Sequence, residues 1–521
     1  MRFGKAGETG MPETHEGATN PASAIGFLSD PATHGGTPVE RVDTHISHIF
    51  LTSKEAYKLK KPIKTNFLDF STLEKREAAC RRELEVNRAV AEEIYLDVVP
   101  ITRRDGGLHL GGSGDIVDWV VRMRRFDRTK EFDRLAERGA LDVPLAEALA
   151  DVVARMHRDA PVTPEYGGAK RVAATIRQIT EAISTSPAAA RLKNDLDAWA
   201  SEAMPTLSRR APQLDSRRRH GYVRRCHGDL HLGNICLVKG RPTPFDAIEF
   251  NEEMASTDVI YDIAFVVMDM LERGLREQAN AFLSRYLAAT RDYSGLSLLP
   301  LFLSMRAAVR ALVAASRDTP DSHEPDARER LAFALDCLRR RTTPRVIAMG
   351  GLSGSGKSTV ARLVAPRIDT GLGAVVLRSD VARKHLFGVP PEQKLPDEAY
   401  RPETSARVYN RLLRDAGHTL RHGFPVLLDA TFLSPEERKN VRLLAKRNCV
   451  PFSGIWLECD PDLLRTRVRN REGDVSDAGV RVLDKQLALH VSPDDWIHVS
   501  SEISPDETAS RVLSALNHSA G

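Results

Sequence analysis

The chain has 521 residues, which at roughly 150 residues per domain predicts three or four structural units rather than one compact core. Hydrophobic residues make up 42% of it and charged residues 28%, a composition that excludes a mainly disordered or collagen-like chain. The 75 Lys and Arg exceed the 71 Asp and Glu by four, so the formal net charge is +4 and no overall field indicates a nucleic-acid partner.

The N-terminal residues and the cysteines together indicate the cellular compartment of the protein. Residues 1–25 carry Gly, Pro, Thr and Glu without an apolar period, so we predict a flexible N-terminus. They lack the apolar core of a signal peptide, and no run approaches the ~18 apolar residues that cross a bilayer. The 6 cysteines include no C-x-x-C pair, which is typical of reduced thiols. We therefore expect a cytoplasmic protein without a membrane partner.

A small sheet with one helix is the first predicted structure. Residues 44–60 contain two extended runs with a turn between them, and a helical pattern begins after Ser71. Three more strand patterns follow, at 98–101, 108–110 and 116–123. We therefore predict a sheet-bearing lobe over about 26–125.

The apolar spacing then becomes helical. It is Ala-rich and helical over 145–204, and helical again over 259–340 after an irregular centre. This predicts a mostly helical lobe over about 126–341, which completes a first domain over 26–341.

A second domain is predicted over 342–521. Its boundary follows a polar, charged stretch, and beyond it short apolar strands alternate with helical segments. That alternation is typical of a parallel sheet with crossover helices, so this half is of the α/β class. The predicted strands are 346–349, 374–377, 426–428 and 454–457.

The strongest motif lies at the start of this second domain. Its segment G-L-S-G-S-G-K-S fits G-x-x-x-x-G-K-[ST], and it follows a strand and opens a helix, as a phosphate-binding P-loop must. Main-chain N–H groups would surround the phosphates of ATP, Lys357 would reach the β- and γ-phosphates, and the hydroxyl of Ser358 would bind Mg²⁺. The predicted nucleotide-binding residues are Gly351, Ser353, Gly354, Ser355, Gly356, Lys357, Ser358 and Thr359.

Carboxylates at the ends of the next strands indicate phosphoryl transfer. Asp380 and Arg383 follow the second strand, at the sheet edge where ligands of such folds bind, and Asp380 would accept a proton from a substrate hydroxyl. The alternative for Asp380 is to cap a helix. Asp429 ends the third strand and would orient Mg²⁺ or contact substrate.

This segment resembles the small P-loop kinases that include gluconate kinases, polynucleotide 5′-hydroxyl kinases and zeta-toxin-like enzymes. The resemblance covers about a third of the chain, from residue 345 onward. It implies that the pair Asp380 and Arg383 handles the phosphoryl acceptor.

A second site is indicated in the first domain. Residues 227–234 read H-G-D-L-H-L-G-N, the order of a kinase catalytic loop, in which Asp229 orients the acceptor hydroxyl and Asn234 holds Mg²⁺. Asp246 in F-D-A-I-E-F suits the metal-binding carboxylate, with Glu249 as the rival ligand. His227 is better interpreted as a hydrogen-bonding support of the loop than as a catalyst, and so is His231.

These residues resemble the aminoglycoside phosphotransferase and choline-kinase branch of the protein-kinase-like fold. The resemblance extends over about 26–340 and implies a two-lobed architecture. Within E-A-Y-K-L-K it implies that Lys58 is the nucleotide-binding lysine of the third strand. Its partner would be a glutamate of the following helix, with Glu83 preferred over Glu77 and Glu85.

The motifs together predict a bifunctional ATP- and Mg²⁺-dependent phosphotransferase. Each domain would move the γ-phosphoryl group of ATP to a hydroxyl group of a small molecule, and nucleic acid is not expected as a partner. Two alternatives stay open at this point. The first domain would be a non-catalytic regulatory module, or the second would phosphorylate nucleic-acid 5′-hydroxyl groups. The acceptors and the oligomeric state are not determined by the motifs.

Overall fold

A computed structural model describes residues 21–65, 68–316, 320–369, 371–390, 393–470 and 479–518. Its contacts divide the chain into two units. The first unit comprises residues up to 141, 155–272 and 301–338, and the second comprises 142–154, 273–300 and 339 onward. The prediction of a flexible N-terminus falls mostly on residues outside this description. Its last part is a helix, Pro21–Ser29, on which Ala24 and Leu28 are fully buried.

The sheet-bearing lobe of the first unit follows the predicted order with one further strand. The added strand, Glu40–Asp43, is short and mostly exposed, so it lacks the apolar alternation that marks the others. The elements are α1 (Pro21–Ser29), β1 (Glu40–Asp43), β2 (Ser47–Leu51), β3 (Glu55–Lys60), α2 (Leu73–Ala91), β4 (Tyr95–Arg104), β5 (Gly107–Leu110) and β6 (Asp115–Arg124). The strands form one antiparallel sheet in the order β1-β2-β3-β6-β4-β5.

The two faces of this sheet bury different sets of side chains. Alternation along β3 sends Tyr57 and Leu59 into a core cluster with α1, and it directs Lys58 and Lys60 to the opposite face. Helix α2 covers that opposite face, where Cys80 packs in a second cluster. Two lysines of β3 are thereby held in a largely apolar layer, which requires anionic partners nearby.

The chain after residue 125 is mostly helical and contains two short antiparallel strand pairs, β8-β9 and β10-β7. The elements are α3 (Phe132–Glu137), α4 (Val143–Asp159), α5 (Gly168–Ser184), α6 (Ala189–Arg219), β7 (Val223–Arg225), β8 (Ile235–Val238), β9 (Arg241–Pro244), α7 (Glu252–Ala255), β10 (Ser256–Asp258), α8 (Val259–Glu272), α9 (Arg276–Thr290), α10 (Leu299–Ala315) and α11 (Pro320–Arg339). The strand pairs place the loop between β7 and β8 next to the segment after β9. This is where the predicted catalytic residues lie.

The second unit contains a parallel sheet in the order β12-β13-β11-β14-β15, which confirms the predicted fold class. Four of its strands are the predicted ones, and the fifth is a short edge strand that the apolar pattern did not reveal. The elements are β11 (Val346–Gly351), α12 (Lys357–Val364), β12 (Val375–Arg378), α13 (Ser379–Leu386), α14 (Pro402–Arg421), β13 (Val426–Asp429), α15 (Pro435–Arg447), β14 (Phe452–Glu458), α16 (Pro461–Arg469), α17 (Val480–Leu487), β15 (Ile497–Ser500) and α18 (Pro505–His518).

Helix α9 belongs to the second unit because it covers the edge strand of this sheet. The Asn280 side chain donates hydrogen bonds to the carbonyl oxygens of Leu372 (2.7 Å) and Ala374 (2.9 Å). The hydroxyl of Ser284 accepts one from the backbone N–H of Val376 at 3.0 Å. An uncovered edge would leave these main-chain groups to solvent or to another strand. The helix therefore provides hydrogen-bond partners for three main-chain groups in and just before β12.

One segment, Tyr293–Ala315, is long and apolar enough to cross a membrane, with a mean hydropathy of 1.6 over its most apolar window. We did not single it out from the sequence. Of that window 83% is buried inside the protein, as is typical of a core helix.

Candidate active sites

A buried ionic cluster joins the sheet of the first unit to the segment after β9. The ammonium of Lys58 lies 2.7 Å from Glu83 Oε1 and 2.6 Å from Asp246 Oδ1. Burial alone would lower the pKa of Lys58, but the two carboxylates raise it well above its usual value. The side chain of Asp246 is 46% exposed, whereas that of Glu83 is fully buried. The lysine is therefore charged, and Asp246 is its solvent-facing partner.

The choice of Glu83 follows from the face that α2 turns to the sheet. The buried positions of this helix are Arg76, Cys80, Glu83, Asn87 and Ala91, which recur at intervals of three or four residues. Glu77 and Glu85 do not share that face. The structure thus places the preferred glutamate, and neither alternative, beside Lys58.

A second lysine, which we did not predict, enlarges this cluster. Lys60 is fully buried, lies 2.5 Å from Glu83 Oε2 and also donates to Glu249. Burial opposes its charge, yet the carboxylates of Glu249 and Glu83 raise its pKa. Glu249, the rival metal ligand, is therefore committed to a buried ion pair. The sequence feature that could have revealed Lys60 is its i, i+2 spacing from Lys58, which places both lysines on one face of the strand.

Removing the charge of Lys60 is expected to destabilise the first unit strongly. In Lys60→Met, Glu249 would keep a buried charge without its cation. The free energy of unfolding should therefore fall by about 3–5 kcal/mol. The double variant Lys60→Met/Glu249→Leu should regain most of that loss because Glu249 no longer carries a charge that needs a cation. Urea unfolding checks this, with Lys64→Met as control, since 72% of the Lys64 side chain is exposed. Equal unfolding midpoints for Lys60→Met and wild type would contradict the structural role.

The predicted catalytic loop, residues 227–234, is anchored by a carboxylate that the sequence analysis missed. Asp262 on α8 accepts hydrogen bonds from the backbone N–H groups of His227 (3.2 Å) and Gly228 (2.8 Å). It also contacts His157 at 3.1 Å. Asp262 is fully buried, and although burial opposes ionisation, its bond to His157 helps lower its pKa. This anchor fixes the main chain directly before Asp229.

The side chains of the loop hold one another in place. Asn234 Nδ2 donates to the carbonyl oxygen of Asp229 at 3.0 Å and lies 3.3 Å from its Oδ2. His227 Nδ1 accepts from the Asp229 N–H, so its Nε2 carries the proton that bonds to the Phe245 carbonyl oxygen at 2.9 Å. Burial lowers the pKa of His227, consistent with a neutral ring. His231 Nδ1 likewise accepts from the Gly233 N–H, so both histidines support the loop, as expected.

The loop and the Asp246 segment form one site. The N–H of Phe245 donates to the carbonyl oxygen of Asn234 at 2.9 Å, and that of Ile248 donates to the carbonyl oxygen of His227 at 3.0 Å. Asp246 lies between these two bonds with a positive φ of 62°, a conformation that Asp tolerates better than most residues. Partial burial opposes its ionisation, but the ammonium of Lys58 lowers the pKa of Asp246 to about 2. An ionised carboxylate and the Asn234 amide oxygen fit Mg²⁺, which prefers oxygen ligands.

A cavity of about 410 Å³ lies beside this site in the first unit. It is bordered by residues of α5, α7, α8 and α10, and also by Gly228 of the loop and by Ile248. Its size is in the range of small-molecule binding sites, which span roughly 300–1,000 Å³. No motif in the sequence marks this cavity, because its walls come from elements that are distant along the chain.

In the second unit the P-loop takes the backbone shape that phosphate binding needs. Gly351, Gly354 and Gly356 have φ angles of 141°, 87° and 80°. A Cβ at Gly351 would approach the Leu457 carbonyl oxygen to 2.7 Å, so a side chain is excluded there. Helix α12 begins at Lys357, and its first N–H groups have no acceptor within the helix. The hydroxyl of Ser355 is buried without a hydrogen-bond partner among the described residues.

Polar side chains gather at the carboxyl edge of the sheet beside the P-loop. Ser358 Oγ donates to Asp429 Oδ2 at 2.6 Å, which unites the two predicted metal-binding residues. Arg378, which we did not predict, donates to Ser358 Oγ at 3.0 Å, and its Nε lies 3.3 Å from Asp429 Oδ2. The reason is the register, since Arg378 and Asp429 are direct partners on neighbouring strands. A hydroxyl and a carboxylate so close together fit Mg²⁺.

The two residues predicted to handle the acceptor, Asp380 and Arg383, have different surroundings. Asp380 is half-buried in the first turn of α13, where the residue before the helix is Arg378, so Asp380 is not the cap. The guanidinium of Arg383 donates to the carbonyl oxygen of Ala399 at 2.6 Å and lies over the Tyr400 ring. Arg383 is 7% exposed. The structure therefore holds Arg383 mainly by packing and main-chain contacts, whereas Asp380 stays at the sheet edge.

Comparisons with known proteins match the two halves of the chain to two different families. A family model described as "Phosphotransferase enzyme family" matches residues 56–299, and one described as "AAA domain" matches 346–493. Uncharacterized proteins of Mycobacterium tuberculosis and Mycobacterium bovis are 30% identical over 473 residues, covering 87% of this chain and 90% of theirs.

Solved structures are similar to separate parts of the chain. A gluconokinase from Sinorhizobium meliloti covers 35% of this chain and 100% of its own, at 22% identity and a TM-score of 0.24. A choline/ethanolamine kinase family protein from Mesorhizobium loti covers 61% and 99%, at 11% identity and a TM-score of 0.35. The family matches confirm both resemblances predicted from the motifs. The chain belongs to the same family as the two mycobacterial proteins, and in it a kinase-type phosphotransferase region precedes a P-loop kinase region.

Proposed function

We propose that the protein is a bifunctional cytoplasmic kinase whose two units each transfer the γ-phosphoryl group of ATP to a hydroxyl group of a small molecule. The observation that supports this proposal most directly is that each unit holds a lysine that its motif assigns to phosphate, a carboxylate, and a second side chain with an oxygen suited to Mg²⁺. These are Lys58, Asp246 and Asn234 in the first unit and Lys357, Asp429 and Ser358 in the second.

In the first unit, Lys58 would bind the ATP phosphates, and Glu83 would keep its ammonium aimed at them. Asp229 would orient the acceptor hydroxyl and receive its proton as the oxygen attacks phosphorus. Asn234 and Asp246 would hold Mg²⁺, which when bound neutralises phosphate charge. Of the two rival carboxylates, the exposed Asp246 suits this role, because Glu249 is buried against Lys60.

In the second unit, the P-loop would surround the phosphates and Lys357 would reach the transferred group. The Lys357 ammonium donates to the Leu352 carbonyl oxygen of the same loop at 2.8 Å, so it lies at the mouth of the predicted cradle. Ser358 and Asp429 would hold Mg²⁺, and Asp380 would accept the hydroxyl proton. We propose that Arg383 positions α13 rather than touching the acceptor, since its guanidinium is bonded to main chain.

The proposal predicts two nucleotide sites per chain. Calorimetric titration of the full chain with the ATP analogue AMP-PNP and Mg²⁺ should give a stoichiometry of about two. Lys58→Met should remove one site and Lys357→Ala the other, because each deletes the phosphate-binding cation of one unit. A single site in the wild-type protein would contradict the bifunctional assignment.

Transfer is then tested with γ-labelled ATP against sugars, nucleosides, amino alcohols and hydroxy acids. We expect label in at least one alcohol, and its loss in the variant that has lost the corresponding nucleotide site. Label released only as inorganic phosphate with every alcohol would indicate an ATPase instead.

A further inference from the structure

In the second unit, the residues suited to Mg²⁺ already contact a cation of the protein itself. Arg378 Nη2 donates to Ser358 Oγ at 3.0 Å, and Arg378 Nε lies 3.3 Å from Asp429 Oδ2. Ser358 Oγ in turn donates its own proton to that same Asp429 oxygen at 2.6 Å. The guanidinium therefore lies against the hydroxyl and the carboxylate oxygen to which we assign the metal.

Strand register puts Arg378 in this position. It is the last residue of β12, Asp429 is the last residue of β13, and the two are paired in the parallel sheet. Side chains of paired residues leave a sheet on the same face. The side chains of Arg378 and Asp429 are only 9% and 5% exposed. Their contact is therefore set by the sheet itself and not by a loop.

The carboxylate of Asp429 needs a positive partner when no nucleotide is bound. Leaving a buried charge without a partner is costly. A guanidinium stays charged throughout the physiological pH range, and it donates charge-assisted hydrogen bonds to carboxylates. Arg378 thus provides a cation that holds Asp429 and Ser358 in place before the metal arrives.

A divalent cation and this guanidinium compete for the same atoms. The bond from Arg378 takes up one lone pair of Ser358 Oγ, and a hydroxyl oxygen has only two. Positive groups within about 4 Å of one another also repel strongly where water is largely excluded. Binding of a metal ion at Ser358 and Asp429 is therefore opposed as long as the guanidinium stays there.

A small cavity within the second unit gives the guanidinium a place to move. Its volume is about 40 Å³, and Arg378 lines it together with the carboxylates of Glu147 and Glu277, which are partly exposed. Two further arginines of the wall, Arg285 and Arg362, already have carboxylate partners at 2.7 and 3.4 Å. Because a carboxylate accepts several hydrogen bonds, the cavity offers Arg378 anionic partners next to its present ones.

We propose that Arg378 is a positioning residue that keeps the magnesium ligands of the second unit occupied until nucleotide binds, so that the metal enters only together with the triphosphate. The inference rests on the kinase function proposed for this unit, because it takes Ser358 and Asp429 as metal ligands. The negative charge of the triphosphate compensates the additional positive charge, which Asp429 alone does not. The nucleotide-free unit therefore has a low affinity for divalent cations, although their ligands are present.

Binding of Mn²⁺ to the full chain without nucleotide tests this role, with free Mn²⁺ followed by its electron paramagnetic resonance signal. Mn²⁺ prefers the same oxygen ligands as Mg²⁺. Arg378→Met keeps the hydrocarbon chain but removes the charge, so it should bind one additional Mn²⁺ per chain, roughly tenfold or more tightly than wild type binds at this site. Adding Asp429→Asn to Arg378→Met should remove that ion, which assigns it to the second unit.

Two control variants accompany this titration. Arg378→Lys keeps a positive charge at the site, so its nucleotide-free Mn²⁺ binding should stay as low as that of wild type. Arg407→Met removes an exposed arginine of α14 and should also bind as wild type does. An Arg378→Met protein that binds no more Mn²⁺ than wild type would overturn the inference.

A second measurement leaves Arg378 in place, in case Arg378→Met does not fold. Without nucleotide, Asp429→Asn should leave Mn²⁺ binding unchanged, because Arg378 already excludes the ion. With the ATP analogue AMP-PNP, the same substitution should weaken Mn²⁺ binding roughly tenfold, since the carboxylate then faces the metal. Loss of a bound Mn²⁺ from the nucleotide-free protein on Asp429→Asn would contradict the inference.

These titrations separate the inference from the function proposed for the second unit. If Asp429→Asn changes Mn²⁺ binding neither with nor without AMP-PNP, the metal ligands of the proposed function are wrong, and the role of Arg378 is overturned with them. If Asp429→Asn weakens Mn²⁺ binding with AMP-PNP but Arg378→Met adds no ion without it, the proposed function stands and this inference fails.

Discussion

Asp229→Asn is expected to slow phosphoryl transfer by the first unit by about 10²–10⁴-fold, the usual contribution of a positioned acid–base group. The amide cannot accept the hydroxyl proton that leaves as the acceptor oxygen attacks phosphorus. Nucleotide affinity should stay within about twofold, because Lys58, Glu83 and Asp246 are unchanged. The carbonyl oxygen of residue 229 would still receive the hydrogen bond from Asn234.

The rate is best measured as ADP formation by the full chain in a Lys357→Ala background, with the alcohol that the transfer screen identifies. This background lowers the transfer rate of the second unit, so that the recorded activity comes mainly from the first unit. Asp197→Asn is the matched control, since that carboxylate is 62% exposed on α6. An undiminished rate in Asp229→Asn would mean that the loop is not catalytic, and the regulatory alternative for this unit would then be favoured.

Lys357→Ala is expected to lower the transfer rate of the second unit by about 10²–10³-fold, as is found when one donor to developing charge is removed. Nucleotide affinity should fall as well, since the ammonium contributes to phosphate binding before the reaction. The fold of the unit should persist. The side chain is only half-buried, and the glycines that shape the loop are unaffected.

Single-turnover transfer from labelled ATP, measured in an Asp229→Asn background, checks this effect. Lys439→Ala removes an exposed lysine of α15 and serves as the control. A Lys357→Ala protein that transfers label at the control rate would show that the P-loop is not the site of reaction in this unit.

The sequence alone determined the two loop motifs and the order of the main elements. The P-loop and the loop at 227–234 are local motifs, in which the spacing of a few neighbouring residues sets the geometry, so they could be recognised without a fold. The periodicity of apolar residues also predicted the small sheet, the helical lobe and four of the five parallel strands. It missed β1 and β15 because short edge strands carry little apolar alternation.

Only the tertiary structure decided how residues of the same type differ in burial and in their partners. Glu83, Glu249 and Asp246 are all carboxylates near two lysines, and burial and distance separate the buried partners from the exposed one. Arg378 reaches Ser358 and Asp429 because of strand register, and the cavity near Gly228 is assembled from helices far apart in the chain. These contacts join residues that are far apart in the sequence. They depend on strand register and packing in the folded chain, which the spacing of neighbouring residues does not determine.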